Sequence, residues 1–522
     1  MGTNRKNMKN VLIIALFIMT AGIVLGNNVV VTNVDLKLPA SGKVKVEFDL
    51  SWDNSWRDGV NYDACWVFVK YSIDSGTNWS HATMAASGTN PPGFSSGTGT
   101  GLEIVVPADK KGAFIQRSSL GTGTVANTDV QLVWDFNADG VSASKSARVK
   151  VFAIEMVYVP EGAFYVGDGT ITTIRGQFEN GKFTNALQIT SEGQLTLGGG
   201  TLGSLGNNNG SGMYAGNADD FNDTTSKTLP AAFPKGYAAF YIMKTEISQR
   251  QYCDFLNTLT AAQQNNRHYS ALYFNSYRNF IKKTNTSPAF FGCDANNNAG
   301  SATAANAALL NEANDGEWVA CNYISWMDGA AYADWAALRP MTELEFEKAC
   351  RGSLTPVANE YAWGNTTLES ATTSLTGQNT TSETPNQGNC NYDSCTPDGP
   401  YRCGSHARAS SSRQNAGAGF YGVLDMSGNL WERVVTVGNS TGRGFTGTHG
   451  DGMLSPNGNA NVATWPGLSG GEVTVATGSG YRGGSYAIAN SYLRISDRYL
   501  AATGVFTTRD SGDGFRAVRS AP

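Results

Sequence analysis

Between Val29 and Glu155 apolar and polar residues alternate with a period of two. The clearest run sets Val44, Val46, Phe48, Leu50 and Trp52 against Lys43, Lys45, Glu47, Asp49 and Ser51. Successive side chains of a strand point to opposite faces, so this run predicts a strand with one buried face. Similar runs occur at Cys65–Tyr71, Leu102–Val106, Val130–Phe136 and Val149–Ile154. Gly, Asn, Asp and Ser separate them, and no helical periodicity interrupts them. About seven short strands in this stretch predict an antiparallel β-sandwich of immunoglobulin-like size over residues 27–155.

At Met156 the texture changes. A strand-like stretch to Gly167 leads into residues 168–234, rich in Gly, Asn and Thr, which read as a long irregular insertion on the surface. Three helices then follow from capping signals. Ser248 with Gln251 precedes Tyr252, Phe255, Leu256 and Leu259 at helical spacing. Ser325 with Asp328 opens a second helix, expected through Trp335 and Leu338 and stopped by Pro340; Thr342 with Glu345 opens a third that buries Phe346, Ala349 and Cys350. Beyond Gly352 come Gly-, Asn- and Ser-rich loops with short strand-like pieces. The expected class is α+β, a sandwich followed by a loop-rich domain over 156–522.

Composition trims the functions open to such a chain. Of 522 residues 61 are Gly, 16% are charged, and the net charge is −5 with no basic run to neutralise phosphates, which excludes a nucleic-acid binder. Eleven Trp, 21 Tyr and 23 Phe exclude a disordered chain. Residues 1–26 have the layout of a signal peptide: Arg5, Lys6 and Lys9, an apolar run Val11–Leu25, and small Val24 and Gly26 before the cut. That run is shorter than the ~20 residues of a bilayer span, so the mature chain is expected to be secreted or at the cell surface, extracellular or periplasmic, with no integral membrane span. An uncleaved anchor is the alternative.

Eight Cys in an exported chain permit disulfides. Cys390, Cys395 and Cys403 cluster in one loop, either bridged locally or free, whereas Cys65, beside Trp66 in an apolar strand, reads as a buried free thiol. The four His, at 81, 268, 406 and 449, have no metal-ligand spacing. Asp135, Asn137, Asp139 and Gly140 begin a calcium-loop pattern. Ser146 stands where that loop needs a bidentate Glu, so a hairpin turn at Ala138–Gly140 is the preferred reading.

Several segments in order carry a family likeness: Val159–Gly167, Phe240–Leu256, Val319–Leu338, Arg339–Ala349, Tyr361–Gly364, Gly422–Glu432, Arg482–Ser485 and Gly514–Arg516. Together they resemble the sulfatase-modifying-factor, or formylglycine-generating-enzyme, family over about Met156 to Ser520. The resemblance implies a C-type-lectin-like fold with little regular structure. Read physically, Gly428-Asn429 and Gly483-Gly484 suit turns with positive φ, and Trp363, Trp431, Tyr486 and Phe515 suit a core. Arg482, Arg494, Arg498 and Arg516 suit buried pairs with Asp425, Glu432, Asp497 and Asp513.

The resemblance also sets a chemical test. Family enzymes oxidise a sulfatase cysteine with O2 through copper held by two cysteines just after the Arg-Gly-Gly-Ser segment. Here Ile488 and Leu493 occupy those places, and neither binds copper. A related branch, the ergothioneine-type sulfoxide synthases, needs three iron-binding His in a helical domain, which this chain lacks. A third, lectin-like branch needs no catalytic residues. The expectation is therefore an exported, non-catalytic binding or structural surface module, a pseudoenzyme with no catalytic residue and copper unlikely. Its candidate pocket holds Arg482, Ser485, Tyr486 and Trp431, taking a protein, peptide or glycan ligand. The resemblance also points to a structural calcium at Asn429 and Glu432. An oxidoreductase with a relocated metal site, acting on protein cysteine or a small thiol, and a self-assembling extracellular filament are the alternatives.

Overall fold

The computed structural model describes residues 29–522 except 38–39, 170–173, 208–212, 215–217, 270–273, 302, 304, 372–373, 394, 410 and 505, so the expected signal peptide at residues 1–26 lies outside the described residues. The alternating run forms the strand Val44–Arg57, with Val44, Val46, Phe48, Leu50 and Trp52 buried. It lies between Val30–Leu36 and Gly121–Trp134 in a four-stranded sheet whose other edge is Thr98–Gly99. A second sheet faces it, built here from Asp63–Ser72, Leu102–Val106, Ala113–Arg117 and Arg148–Val159. The space between is filled by aliphatic and aromatic side chains from both sheets, among them Val46, Leu50, Cys65, Val67, Val69, Ile104, Leu132 and Trp134.

The second sheet does not stop at Glu155. Arg148–Val159 pairs on one side with Asp63–Ser72 and on the other with Phe240–Met243, which pairs in turn with Ala517–Ser520 and then Arg339–Pro340. One nine-stranded sheet thus serves both halves. Its two faces have separate duties because side chains alternate. Cys65, Val67 and Val69 enter the sandwich core; Ala64, Trp66 and Phe68 enter the core of the loop-rich half, where Trp66 donates to the Ala336 carbonyl at 2.8 Å.

The three capped helices form where expected: α1 Gln249–Leu256, α3 Trp326–Trp335 and α4 Glu343–Arg351, each with a complete capping box. α3 ends at Trp335, short of Leu338. A fourth helix, α2 Ala261–Arg267, carries the same box at Thr260 and Gln263 and escaped the reading because it has no apolar stripe. Residues 168–234 hold a four-stranded sheet of Phe178–Asn180, Leu205–Asn207, Leu195–Gly198 and Ser226–Leu229, which corrects the irregular-insertion reading. The Asp139–Gly140 turn joins two different sheets, so it is a corner and not a hairpin. There Asp139 accepts from Thr83 N, Thr83 Oγ1 and Trp134 Nε1, structural contacts at 2.7–2.9 Å. Among the described residues no helix is long and apolar enough to cross a membrane.

Candidate functional site

The loop-rich half is held by charges more than by ladders. α4 aims Glu343 and Glu347 inward, one turn apart. Glu343 accepts from Arg482 at 3.0 Å and from Arg498 at 2.7 Å, and also from Val437 N; Glu347 accepts from Arg482 at 2.6 Å and from Gly167 N. Arg498 reaches on to Asp219 at 2.7 Å, and all of these charged side chains except Asp219 have residues no more than 1% exposed. The guanidiniums outweigh burial at Glu343 and hold its carboxyl below the usual range. Arg339 with Glu345, Arg433 with Asp513, and Arg516 with Glu432 repeat the pattern. Buried charge is tolerated only when paired and hydrogen-bonded, and apart from the local Arg339–Glu345 pair these ties join segments 80 or more residues apart.

This network corrects the expected pocket. Arg482 is part of it, 0% exposed, and lines no opening. The other three candidates do gather: a Cβ added at Gly512 would meet Ser485 Oγ at 2.9 Å and Trp431 Cδ1 at 3.7 Å, and Tyr486 N donates to the Asn429 carbonyl. All three are buried, however. The expected ion pairs also change partners: Asp497 takes Arg175, Asp513 takes Arg433, and of the pairs drawn from sequence Arg516 with Glu432 stands. Cys390, Cys395 and Cys403 are free, as are the other five cysteines, Cys65 included. The thiols of Cys253 and Cys293 meet each other instead, and burial pushes the Cys293 thiol well up. A cavity of about 150 Å³ between Glu192, Phe233, Phe240 and Arg339 lies away from Ser485.

The copper implied by resemblance does not fit its residues. Leu493 is fully buried among Phe346, Met426 and Ile495, with Ile488 against the same cluster, an apolar contact where thiolates would be needed. Asn429, in the left-handed region at φ 63°, presents its amide N to Glu246 and uses Oδ1 to accept from Tyr401 N and Asn391. Glu432 accepts from the Arg516 guanidinium at 2.6 and 2.9 Å through Oε1 alone, and its buried Oε2 makes no hydrogen bond.

Outside the candidate set, Tyr277 stands 46% exposed with its ring 6.3 Å from that of Tyr486. Its turn is strained: Asn275, Tyr277 and Arg278 all have φ between 47° and 60°, and Tyr323 nearby has φ 59°. Such conformations cost about 1–3 kcal/mol each and persist only where neighbours impose them. Gln249 of α1 does so, donating to the Arg278 carbonyl at 2.7 Å, as does the buried Arg278–Glu383 pair. The buried Tyr486 hydroxyl lies by Ser511 and Asp398, with Tyr323 and Tyr277 beyond, and burial pushes its pKa up. No sequence signal marks this turn, because the contacts that hold it come from Gln249 and Glu383, 29 and 105 residues from Arg278.

A sheet-rich α+β molecule whose loop-rich half is pinned by buried Arg–carboxylate pairs is the class defined by this arrangement. The description of the sulfatase-modifying factor enzyme 1-like domain matches residues 142–521, and the chain belongs to that family. No curated protein matches. Among solved structures, variable protein 1 of Treponema denticola is similar at 14% identity with a TM-score of 0.30, covering 71% of this chain and 96% of its own.

Proposed function

We propose that the protein is an exported binding module on a C-type-lectin-like domain, with no copper chemistry, that takes a peptide or glycan ligand against the exposed Tyr277, whose ring the buried Tyr486 backs from within. The observation carrying the reading is Tyr277, 46% exposed on a turn of left-handed residues, with its ring 6.3 Å from that of the buried Tyr486. Aromatic faces supply the apolar part of such a contact. The replacement of both copper cysteines by Ile488 and Leu493 supports the non-catalytic part.

The test is a glycan and peptide array probed with the mature chain and with Tyr277→Ala and Tyr486→Phe. A hit weakened by Tyr277→Ala and kept by Tyr486→Phe supports the site. Oxygen consumption with a cysteine peptide in the presence of copper would overturn the reading in favour of an oxidoreductase, and filaments in electron micrographs would favour self-assembly.

A further inference from the structure

Of the eight cysteines, two are brought face to face by the backbone. Cys253 lies in α1, and Cys293 ends the short strand Phe291–Cys293, which pairs with Ile281–Lys283. Asn257, at the C-terminal end of α1, clamps the start of that strand: its Oδ1 accepts from Phe291 N and its Nδ2 donates to the Phe291 carbonyl, both at 2.8 Å. Distances measured from this clamp match. Four residues back along a helix cover about 6 Å, and two residues forward along a strand cover about 6.6 Å. Those steps lead from Asn257 to Cys253 and from Phe291 to Cys293, and the two thiols share a hydrogen bond.

The surroundings single this pair out. Cys253 and Cys293 are 1% and 0% exposed, in an apolar core with Phe255, Leu256 and Phe291. Cys321 belongs to the same core but turns its thiol to the Asn322 carbonyl at 3.8 Å. Cys390 and Cys395 donate to the carbonyls of Ser427 and Tyr392, and Cys65 stands in the sandwich core. A thiol is a weak donor and a weak acceptor, so contact between two of them contributes little while both stay reduced. A bridge in the same place would tie α1 covalently to the strand that Asn257 already holds.

We infer that Cys253 and Cys293 are a disulfide site, closed by exchange with a protein or small-molecule disulfide while the exported chain folds. The inference rests on the exported part of the proposed function, because a reducing cytoplasm keeps thiols reduced. One cysteine attacks as its thiolate, breaks the donor's S–S bond and forms a mixed disulfide, releasing one donor thiol; the other cysteine then displaces the second donor sulfur and forms the Sγ–Sγ bond. Two electrons and two protons pass from the pair to the donor, which leaves as two thiols. Burial pushes the Cys293 thiol well up and hides both sulfurs, so the exchange precedes closure of the core. The same burial then shields the finished bridge from reductant.

The test expresses the full chain in an exporting bacterium, locates it by fractionation, denatures it in an alkylating reagent without reductant and digests it for mass spectrometry. In parallel, chain unfolded and reduced in urea is refolded in a glutathione redox buffer, and its folded fraction is treated alike. The expected result in both is a linked Cys253–Cys293 peptide with the other six cysteines alkylated. Dithiothreitol leaves the bridge intact in the folded chain and opens it in urea. The bridged chain melts about 3–5 °C above chain refolded with dithiothreitol, and Cys253→Ala abolishes that difference. Eight alkylated cysteines in the refolded chain, or in chain recovered outside the cytoplasm, overturn the site, as does a link from either residue to Cys321. A bridged refolded chain whose expressed counterpart stays in the cytoplasm, reduced, sinks the exported reading and supports the pairing.

Discussion

The two halves of this molecule reach the same end, an ordered interior, by opposite means. The sandwich interior is aliphatic and aromatic, and its backbone groups are satisfied by long antiparallel ladders. The loop-rich half has few ladders and places Glu343, Glu347, Arg482, Arg498 and Arg516 at 0% exposure. A strand needs only an apolar face because its neighbours fix its position. A loop has no such neighbours, and a two-pronged guanidinium that meets two distant segments at once supplies the missing constraint. Ladders hold one half; side-chain charges hold the other.

The sharpest way to break that comparison is at Glu343. Glu343→Gln leaves Arg482 and Arg498 each short of a buried counter-charge, and the expected loss is about 4 kcal/mol in denaturant unfolding. A loss under about 1 kcal/mol would mean the charges are not structural. In the sandwich, Leu50→Ala should cost about 3 kcal/mol through cavity formation alone, with no dependence on pH or salt. Because one sheet joins the halves, both variants should unfold in a single transition by tryptophan fluorescence and circular dichroism alike.

A smaller effect separates the halves by pH. Burial and Asp451 push the Asp334 carboxyl up to about 7, against about 3.9 when unfolded. Between those values the folded protein keeps a proton that the unfolded chain has lost, so this contribution is present at low pH and disappears as pH rises through 7. His268 and His406, lowered to about 4 and about 3 by burial, act in the opposite sense but only below about pH 6.5. From pH 6.5 to 8, stability should therefore fall for the parent chain and fall less steeply for Asp334→Asn, measured as melting temperature against pH. The smallest effect is local: Ser325→Ala removes the cap of α3, which Asp328 N bonds at 3.2 Å, and should cost about 1 kcal/mol.

What was legible in the sequence was what is local. The boxes at Ser248, Ser325 and Thr342 act over three residues, and the alternation at Val44–Trp52 over nine, so each is readable without knowing its partners. The Thr260 box had the same local signal, but Ala261–Arg267 is polar apart from its two alanines and presents no stripe to confirm it. The strands between 178 and 229 are three or four residues long, too short for a period to show. Charge pairing was foreseen in kind and missed in partner, because Glu343 meets arginines 139 and 155 positions away and nothing local ranks one arginine over another.

The strand Arg148–Val159 has a consequence for how such a molecule can be rearranged by recombination. Composition shifts at Met156, and a gene shuffled there would seem to cut between modules. In the folded chain that cut falls inside a strand bonded on both sides, with Ile154 and Met156 in one core and Val151 in the other. Exchanging the front half for an unrelated one would strip the loop-rich half of one wall of its own interior, so the two are inherited together or replaced together.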